Sequence, residues 1–362
     1  MTDFLRPELG ALSPYNAGLT LDEVAARPGV TRIAKLGSNE NPFGPPPEIA
    51  AAVSEAALNV YPDPVGRRLS ARLAELHGVA PGQVMLGNGS EDLLNVLARA
   101  VLRPGDRVVT LYPSFPLHED YAAMMGARVE RVPIGATGRI DVTALCEAVA
   151  APARLVVFSN PMNPVGAFLS PDALDEVMSA VHPDTVVCLD EAYHEYAAGP
   201  DYGTGDPYLD RHAGPLLILR TFSKAWGLAG LRVGYGVTNS ADLRRGMDLV
   251  RTPFNVNAPA QAAGLAALDH PEAVERTVGV VREERARVAA ALTEQVLAVL
   301  PSGGNFLFFD LGVPAAPVAE RLLDYGVIVK AWGQPGWETW MRVSIGRPED
   351  NDQFLEALAA VL

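Results

Sequence analysis

The chain predicts an α/β protein built on a largely parallel, doubly wound sheet, and three observations carry that expectation. From about residue 105, short aliphatic runs alternate with stretches of helical spacing: RVVTLY, ARVERVPI, RLVVFSN, TVVCLDEAY, LLILRTFS and VGYGV. Strands separated by helix-length connections imply parallel neighbours joined by crossovers. Polar residues gather where these runs stop: Asn160 to Gly166 after LVVFS, Asp190 to Tyr193 after VVCL, and Lys224 just past PLLILR. Open α/β sheets bind ligands at that carboxyl edge. Finally, 362 residues exceed one ordinary core, which predicts one large and one small domain.

Composition narrows the function. Apolar residues make up 49% of the chain and charged residues 20%, as in a globular protein. The net charge of -14 argues against nucleic acid or an anionic membrane as partner, because both are bound through basic patches. The N-terminus has no basic stretch followed by an apolar core, and no window of eighteen apolar residues occurs, so a cytoplasmic location is expected. Cys146 and Cys188 lie far apart without metal-type spacing, so neither a disulfide framework nor a metal site is expected.

Taken in order, the chain begins with an irregular arm ending in Gly37-Ser-Asn-Glu-Asn-Pro-Phe-Gly-Pro-Pro-Pro47, whose prolines stop regular structure. Pro47 suits the first turn of a helix running through EIAAAVSEAALNV, and a second helix is expected from Arg67 to Leu76. In VMLGNGSEDLLNVL, Ser90 stands where an N-cap would, before apolar residues at helical spacing. A glycine-rich strand-to-helix turn of this kind offers N–H groups to an anion, although most such turns are plain connections. Residues 271 to 300 predict a long amphipathic helix with Val281, Val288, Leu292 and Val299 on one stripe and a Glu283–Arg287 pair. NFLFFDL, GVIVKAW and TWMRVSIG then read as strands before a final helix from Asp350 to Leu362.

Lys224 is the residue these pieces point to. A lysine at the sheet's carboxyl edge can form a Schiff base with an aldehyde cofactor, for which pyridoxal phosphate (PLP) is the candidate. Asn163, then Asp190 with Tyr193, then Lys224 follow the ends of three strands on one edge. Each alone has an ordinary reading as turn, cap or packing, but together they agree on one site. No G-x-G-x-x-G follows the first strand, which disfavours a dinucleotide enzyme.

With these residues in view, the sequence resembles the fold-type I PLP aminotransferases, and within them the histidinol-phosphate aminotransferase family. The carriers are SPYNAG, LGSNENPFGPP, YPDP, GNGSED, NPMNPVG, DEAYHEY, RTFSKAWGLAGLRVGY and MRVSIGRPEDN. The resemblance implies a large domain with a mostly parallel seven-stranded sheet flanked by helices, and a smaller α+β domain built from the N-terminal arm and the C-terminal segment. The expected division is an arm over 1–38, a PLP-binding domain over 39–264 and a C-terminal domain over 265–362.

Residue by residue, the resemblance makes Lys224 the Schiff-base lysine and Asp190 the partner of the pyridine nitrogen. Asn163 and Tyr193 would donate to the ring's phenolic oxygen. Gly89, Ser90, Ser223 and Arg232 would hold the phosphate, and Phe115 would stack on the ring or simply fill core. Tyr61 would reach the phosphate of a neighbouring subunit in a homodimer, or be a turn tyrosine beside Pro62. Tyr15, Asn305, Lys330 and Arg342 would bind substrate, although strand alternation could instead turn Arg342 outward.

The implied reaction moves an amino group from L-histidinol phosphate to 2-oxoglutarate, in histidine biosynthesis. An aromatic amino acid aminotransferase and an amino-acid-phosphate decarboxylase are the alternatives. Lys330 stands where the family commonly has arginine, and Met162 and Val165 replace polar residues. The four tryptophans crowd the lysine block and the C-terminal segment, where an aromatic wall would favour an aromatic substrate.

Overall fold

The computed structural model describes residues 4–16, 18–135, 137–295 and 297–362. Its centre is a seven-stranded sheet of β1 (Val84–Gly87), β2 (Arg107–Tyr112), β3 (Arg128–Pro133), β4 (Leu155–Ser159), β5 (Val186–Asp190), β6 (Leu216–Thr221) and β7 (Gly234–Thr238). The spatial order is β1-β7-β6-β5-β4-β2-β3. Only β7 runs against the others, pairing antiparallel with both β1 and β6. The central strands β4 to β7 are buried along their whole length, as continuous aliphatic runs covered on both faces should be. Edge strand β3 instead exposes Arg128, Glu130 and Arg131, charges that discourage pairing with another chain.

Separate apolar clusters cover the two faces of this sheet, with α1 (Ser90–Val101) packed in one of them. A further cluster forms a second core around β8 (Phe306–Asp310) and β9 (Trp340–Ser344), an antiparallel pair. Helices packing there include α2 (Pro271–Glu294) and α3 (Pro348–Val361). The arm joins this core: Ala34–Lys35 pairs in parallel with Val327–Ile328, and Ala34 and Leu36 are buried. Among the described residues, no helix is long and apolar enough to cross a membrane.

Four local expectations change. The helix starting at Pro47 ends at Ser54, because Leu58 and Val60 beyond it are exposed and find no core to bury against in this chain. Ser90 is the first residue of its helix, and Gly89 takes the cap position at φ 84°, a left-handed value that glycine adopts without strain. Val299 leaves the helical stripe: α2 stops at Glu294, and Val299 pairs with Phe309 on β8. Arg287 bonds Glu284 at 2.7 Å rather than Glu283, since Glu284 faces α3, where it also accepts from Asn351.

Candidate active site

β5 and β6 lie side by side in parallel register, so the chain leaves both at neighbouring points of one edge. Asp190 is the last residue of β5, and Lys224 follows the end of β6 through Phe222 and Ser223. Behind them Glu191 and Arg220, both buried, are paired at 2.7 Å, and Arg220 also meets Asp206 at 2.8 Å. This brace ties the two strand ends together beneath the site.

The Asp190 carboxylate is held from two sides. Oδ1 accepts from the Ala192 N–H at 3.2 Å, and Oδ2 lies 3.2 Å from His118 Nε2. A carboxylate can only accept, so Nε2 carries the proton of that buried imidazole. His118 was not anticipated from sequence. It sits one helical turn beyond Phe115, whose ring meets the imidazole edge-on at 5.6 Å, and that spacing was the one available signal.

Lys224 and its neighbours are crossed by the arm. Gly37 O accepts from Arg342 Nη2 at 2.6 Å, and Ser38 O accepts from Lys224 Nζ at 2.9 Å. Asn39 Oδ1 accepts from Ser344 Oγ at 2.8 Å, which turns its Nδ2 to donate to Tyr193 Oη at 3.0 Å. Tyr193 therefore accepts from Asn39 and keeps its own proton to donate. Asn163 Oδ1 takes a 2.6 Å hydrogen bond from Arg342 Nη1, leaving the amide NH2 as the donor facing away from Arg342.

Electrostatics follow from this crowding. Burial first, then the Arg342 charge, pushes the Lys224 amine down to about 7. Burial likewise pushes the Tyr193 phenol up to about 12. Near neutrality the site thus presents an amine that is readily uncharged and a phenol that keeps its proton.

A cradle lies beside the lysine. Arg232 holds an unusual left-handed backbone at φ 60° and donates to Ser223 Oγ at 3.4 Å and Asn88 O at 3.3 Å. A Cβ on Gly89 would fall 2.5 Å from Arg232 Nη2, and one on Gly234 would fall 2.3 Å from Ser90 N. Glycine at both positions brings guanidinium, hydroxyl and helix N-terminus into one pocket edge, an arrangement that suits a phosphate. Amine, carboxylate, phenol, amide and cradle together fit the demands of PLP.

The model of the family "Aminotransferase class I and II" matches residues 31–358. The chain belongs to that family. It is 51% identical to histidinol-phosphate aminotransferase 1 of Mesorhizobium japonicum, over 100% of this chain and 99% of that protein. It is 50% identical to histidinol-phosphate aminotransferase 3 of Rhizobium meliloti, over 99% and 97%. Among solved structures it is similar to histidinol-phosphate aminotransferase from Sinorhizobium meliloti in complex with pyridoxal-5'-phosphate, with a TM-score of 0.89 at 29% identity, covering 100% of this chain and 98% of that one.

The remaining expected residues of this aminotransferase divide into two groups. Arg342 is buried and faces the site, and its strand partner in the antiparallel ladder is Lys330. Lys330 Nζ donates to Asn16 O at 2.7 Å, and burial with the Arg342 charge pushes its amine down to about 8. Tyr15 is largely exposed, its ring edge-on to Phe115 at 6.3 Å. Asn305 is fully buried and donates to Asn39 O at 3.0 Å, bracing the arm segment from beneath. Tyr61 stands apart, 81% exposed and stacked on Phe254 at 4.6 Å.

The four tryptophans do not form one wall. Trp226 donates to Glu195, whereas Trp332, Trp337 and Trp340 gather around Phe308, and Trp332 also lies by Arg342.

Proposed function

We propose that this aminotransferase uses PLP to take the amino group from L-histidinol phosphate and pass it to 2-oxoglutarate, working in the cytoplasm as a homodimer. The observation that carries the reading is the pairing of Lys330, on the strand beside β9, with Arg342, which sets two cations side by side. A donor with its own phosphate answers such a pair. Relatives at about half identity over the full chain carry the same activity in their names.

PLP supplies an aldehyde carbon and an electron-withdrawing ring that stabilises negative charge beside the transferred nitrogen. Lys224 would anchor it through Nζ and, as the base of the site, would take the proton from the donor's α-carbon and deliver it to the cofactor carbon on the far side of the nitrogen. An amine at about 7 suits both directions of that transfer. Asp190, oriented by His118, keeps a proton on the ring nitrogen, while Tyr193 and Asn163 donate to the ring oxygen. Ser223, Arg232 and the amides at Gly89 and Ser90 bind the cofactor phosphate. Exposed Leu58, Val60 and Tyr61 suit a partner subunit that covers them, with Tyr61 completing the neighbour's cradle.

The test is a single-turnover half-reaction of PLP-loaded protein with L-histidinol phosphate and, separately, L-phenylalanine, following the cofactor's change from aldehyde to amine form. Conversion by histidinol phosphate at far lower concentration supports the reading. Faster conversion by phenylalanine makes the protein an aromatic aminotransferase, and release of carbon dioxide makes it a decarboxylase.

A further inference from the structure

Gln334 has no place in the chemistry described so far, yet its side chain joins the two halves of the site. Its Oε1 accepts from the Ser114 backbone N–H at 3.0 Å and from Trp332 Nε1 at 3.0 Å. Ser114 belongs to the segment leaving β2 and immediately precedes Phe115. Trp332 follows the Lys330–Ala331 strand of the smaller sheet. One oxygen therefore accepts donors from both layers of the molecule. Next to it, Tyr112 Oη donates to Pro335 O at 2.7 Å, a second bond across the same seam.

The large-domain side of this seam is braced. Ser114 Oγ donates to Glu119 Oε1 at 2.7 Å, Glu119 accepts from Arg131, and the Arg131 guanidinium lies 4.4 Å over the Tyr112 ring. The other side leads to the anion site. Trp332 is 5% exposed, and the Arg342 guanidinium sits 5.8 Å from its ring and 5.7 Å from that of Phe306. Arg342 Nε is buried without a hydrogen-bond partner among the described residues, so aromatic faces take part in fixing the guanidinium plane.

We propose that Gln334 is a positioning residue for donor recognition. It locks the Trp332 indole against Arg342 and ties that wall to the segment carrying Phe115, so that the anion-binding arginine and the cofactor-facing aromatic keep a set separation. The proposal rests on the reading of Arg342 as the donor's anion site. An amide is suited to the task because its oxygen accepts two N–H donors without placing a charge beside Arg342. Losing the bond frees the indole and blurs the guanidinium, which weakens anion binding more than proton transfer at Lys224.

The test uses PLP-loaded full-length protein carrying Gln334→Leu, Trp332→Phe or Gln334→Leu with Trp332→Phe. KM and kcat are measured for L-histidinol phosphate, and inorganic phosphate serves as competitive inhibitor. Gln334→Leu is expected to raise KM and the phosphate inhibition constant by roughly five- to ten-fold, the size of one lost neutral hydrogen bond, while kcat changes by less than about two-fold. Trp332→Phe should match it, and the double variant should be no worse than either single one. An unchanged inhibition constant in Gln334→Leu or additive losses in the double variant overturns the proposal. Arg342→Lys is assayed alongside: if it leaves phosphate inhibition unchanged, the anion-site reading itself fails. If Arg342→Lys weakens phosphate while Gln334→Leu does not, only the Gln334 proposal fails.

Discussion

The two ends that the proposed function gives this site, one for the cofactor and one for the donor, are built differently. At the cofactor end, Asp190, Tyr193 and Lys224 hang from long, fully buried parallel strands, with the Glu191–Arg220 ion pair locked beneath them. At the donor end, Lys330 lies on a two-residue strand and Tyr15 on an exposed arm, and Lys330 is held by one bond to the Asn16 carbonyl. Parallel strands fix positions to within the tolerance of chemistry, whereas short strands and arms allow side chains to be exchanged. Under the proposed function, reaction type is set by the sheet and substrate choice by its attachments. Lys330, standing where arginine is common in the resembling family, lies in the attachments.

The comparison breaks most visibly at Lys224. Lys224→Ala should lower single-turnover conversion by at least about 10⁴-fold, since anchor and proton carrier vanish together. The same residue has a stability signature in the cofactor-free protein. Its folded value of about 7 lies below the ordinary lysine value of 10.5, so between those pH values the unfolded chain binds the extra proton and stability rises with pH. Denaturant titrations of cofactor-free protein at pH 7 and pH 10 should show this rise, smaller in Lys224→Met. A parallel pH dependence in the two proteins would mean that the amine is not held in its neutral form.

Arg220→Met removes one partner of a buried ion pair and should cost about 3–5 kcal/mol of stability, because Glu191 is left charged in a dry interior. Equilibrium unfolding checks it. A loss below about 1 kcal/mol would show that the brace does not separate the rigid end from the adaptable one.

At His118 the expected effect is smaller. His118→Leu takes away a hydrogen bond to an ionised group, so kcat should fall roughly ten- to a hundred-fold, with the KM for donor nearly unchanged. Asp190→Asn should retain PLP while losing more activity than His118→Leu. A His118→Leu variant with raised KM and unaltered kcat would place the imidazole on the donor side instead.

The smallest effect concerns Lys330. Its amine at about 8 is charged below that pH and loses charge above it, so attraction for a phosphate donor should fade as pH rises past 8. KM for histidinol phosphate is expected to climb by up to roughly ten-fold between pH 7 and pH 9.5, and Lys330→Arg should flatten the rise. Equal slopes in the two proteins would remove Lys330 from the anion site.

Much of this was readable before any coordinates. Aliphatic runs with polar ends marked β4, β5 and β6, and with them Asn163, Asp190 and Lys224, because strand patterning is local and the carboxyl edge follows from parallel order. Helix ends were less readable: the Ser54 terminus and the switch of Val299 into a strand depend on what core exists to receive the next residue, which no short window contains. The Glu283–Arg287 pair failed for a related reason, since α3 drew Glu284 rather than Glu283 to its side.

Local patterning alone carries the fold class and the sheet edge on which Asn163, Asp190 and Lys224 gather, both consequences of periodicities spanning a few residues. Tertiary structure alone decided that His118 supports Asp190, that the Gly37–Asn39 segment threads between Arg342, Lys224 and Tyr193, and that Gln334 bridges the two layers. Those contacts join residues 72 to 305 positions apart. Their geometry follows from how two cores pack against each other, and no local spacing encodes a distance that only exists after both have folded.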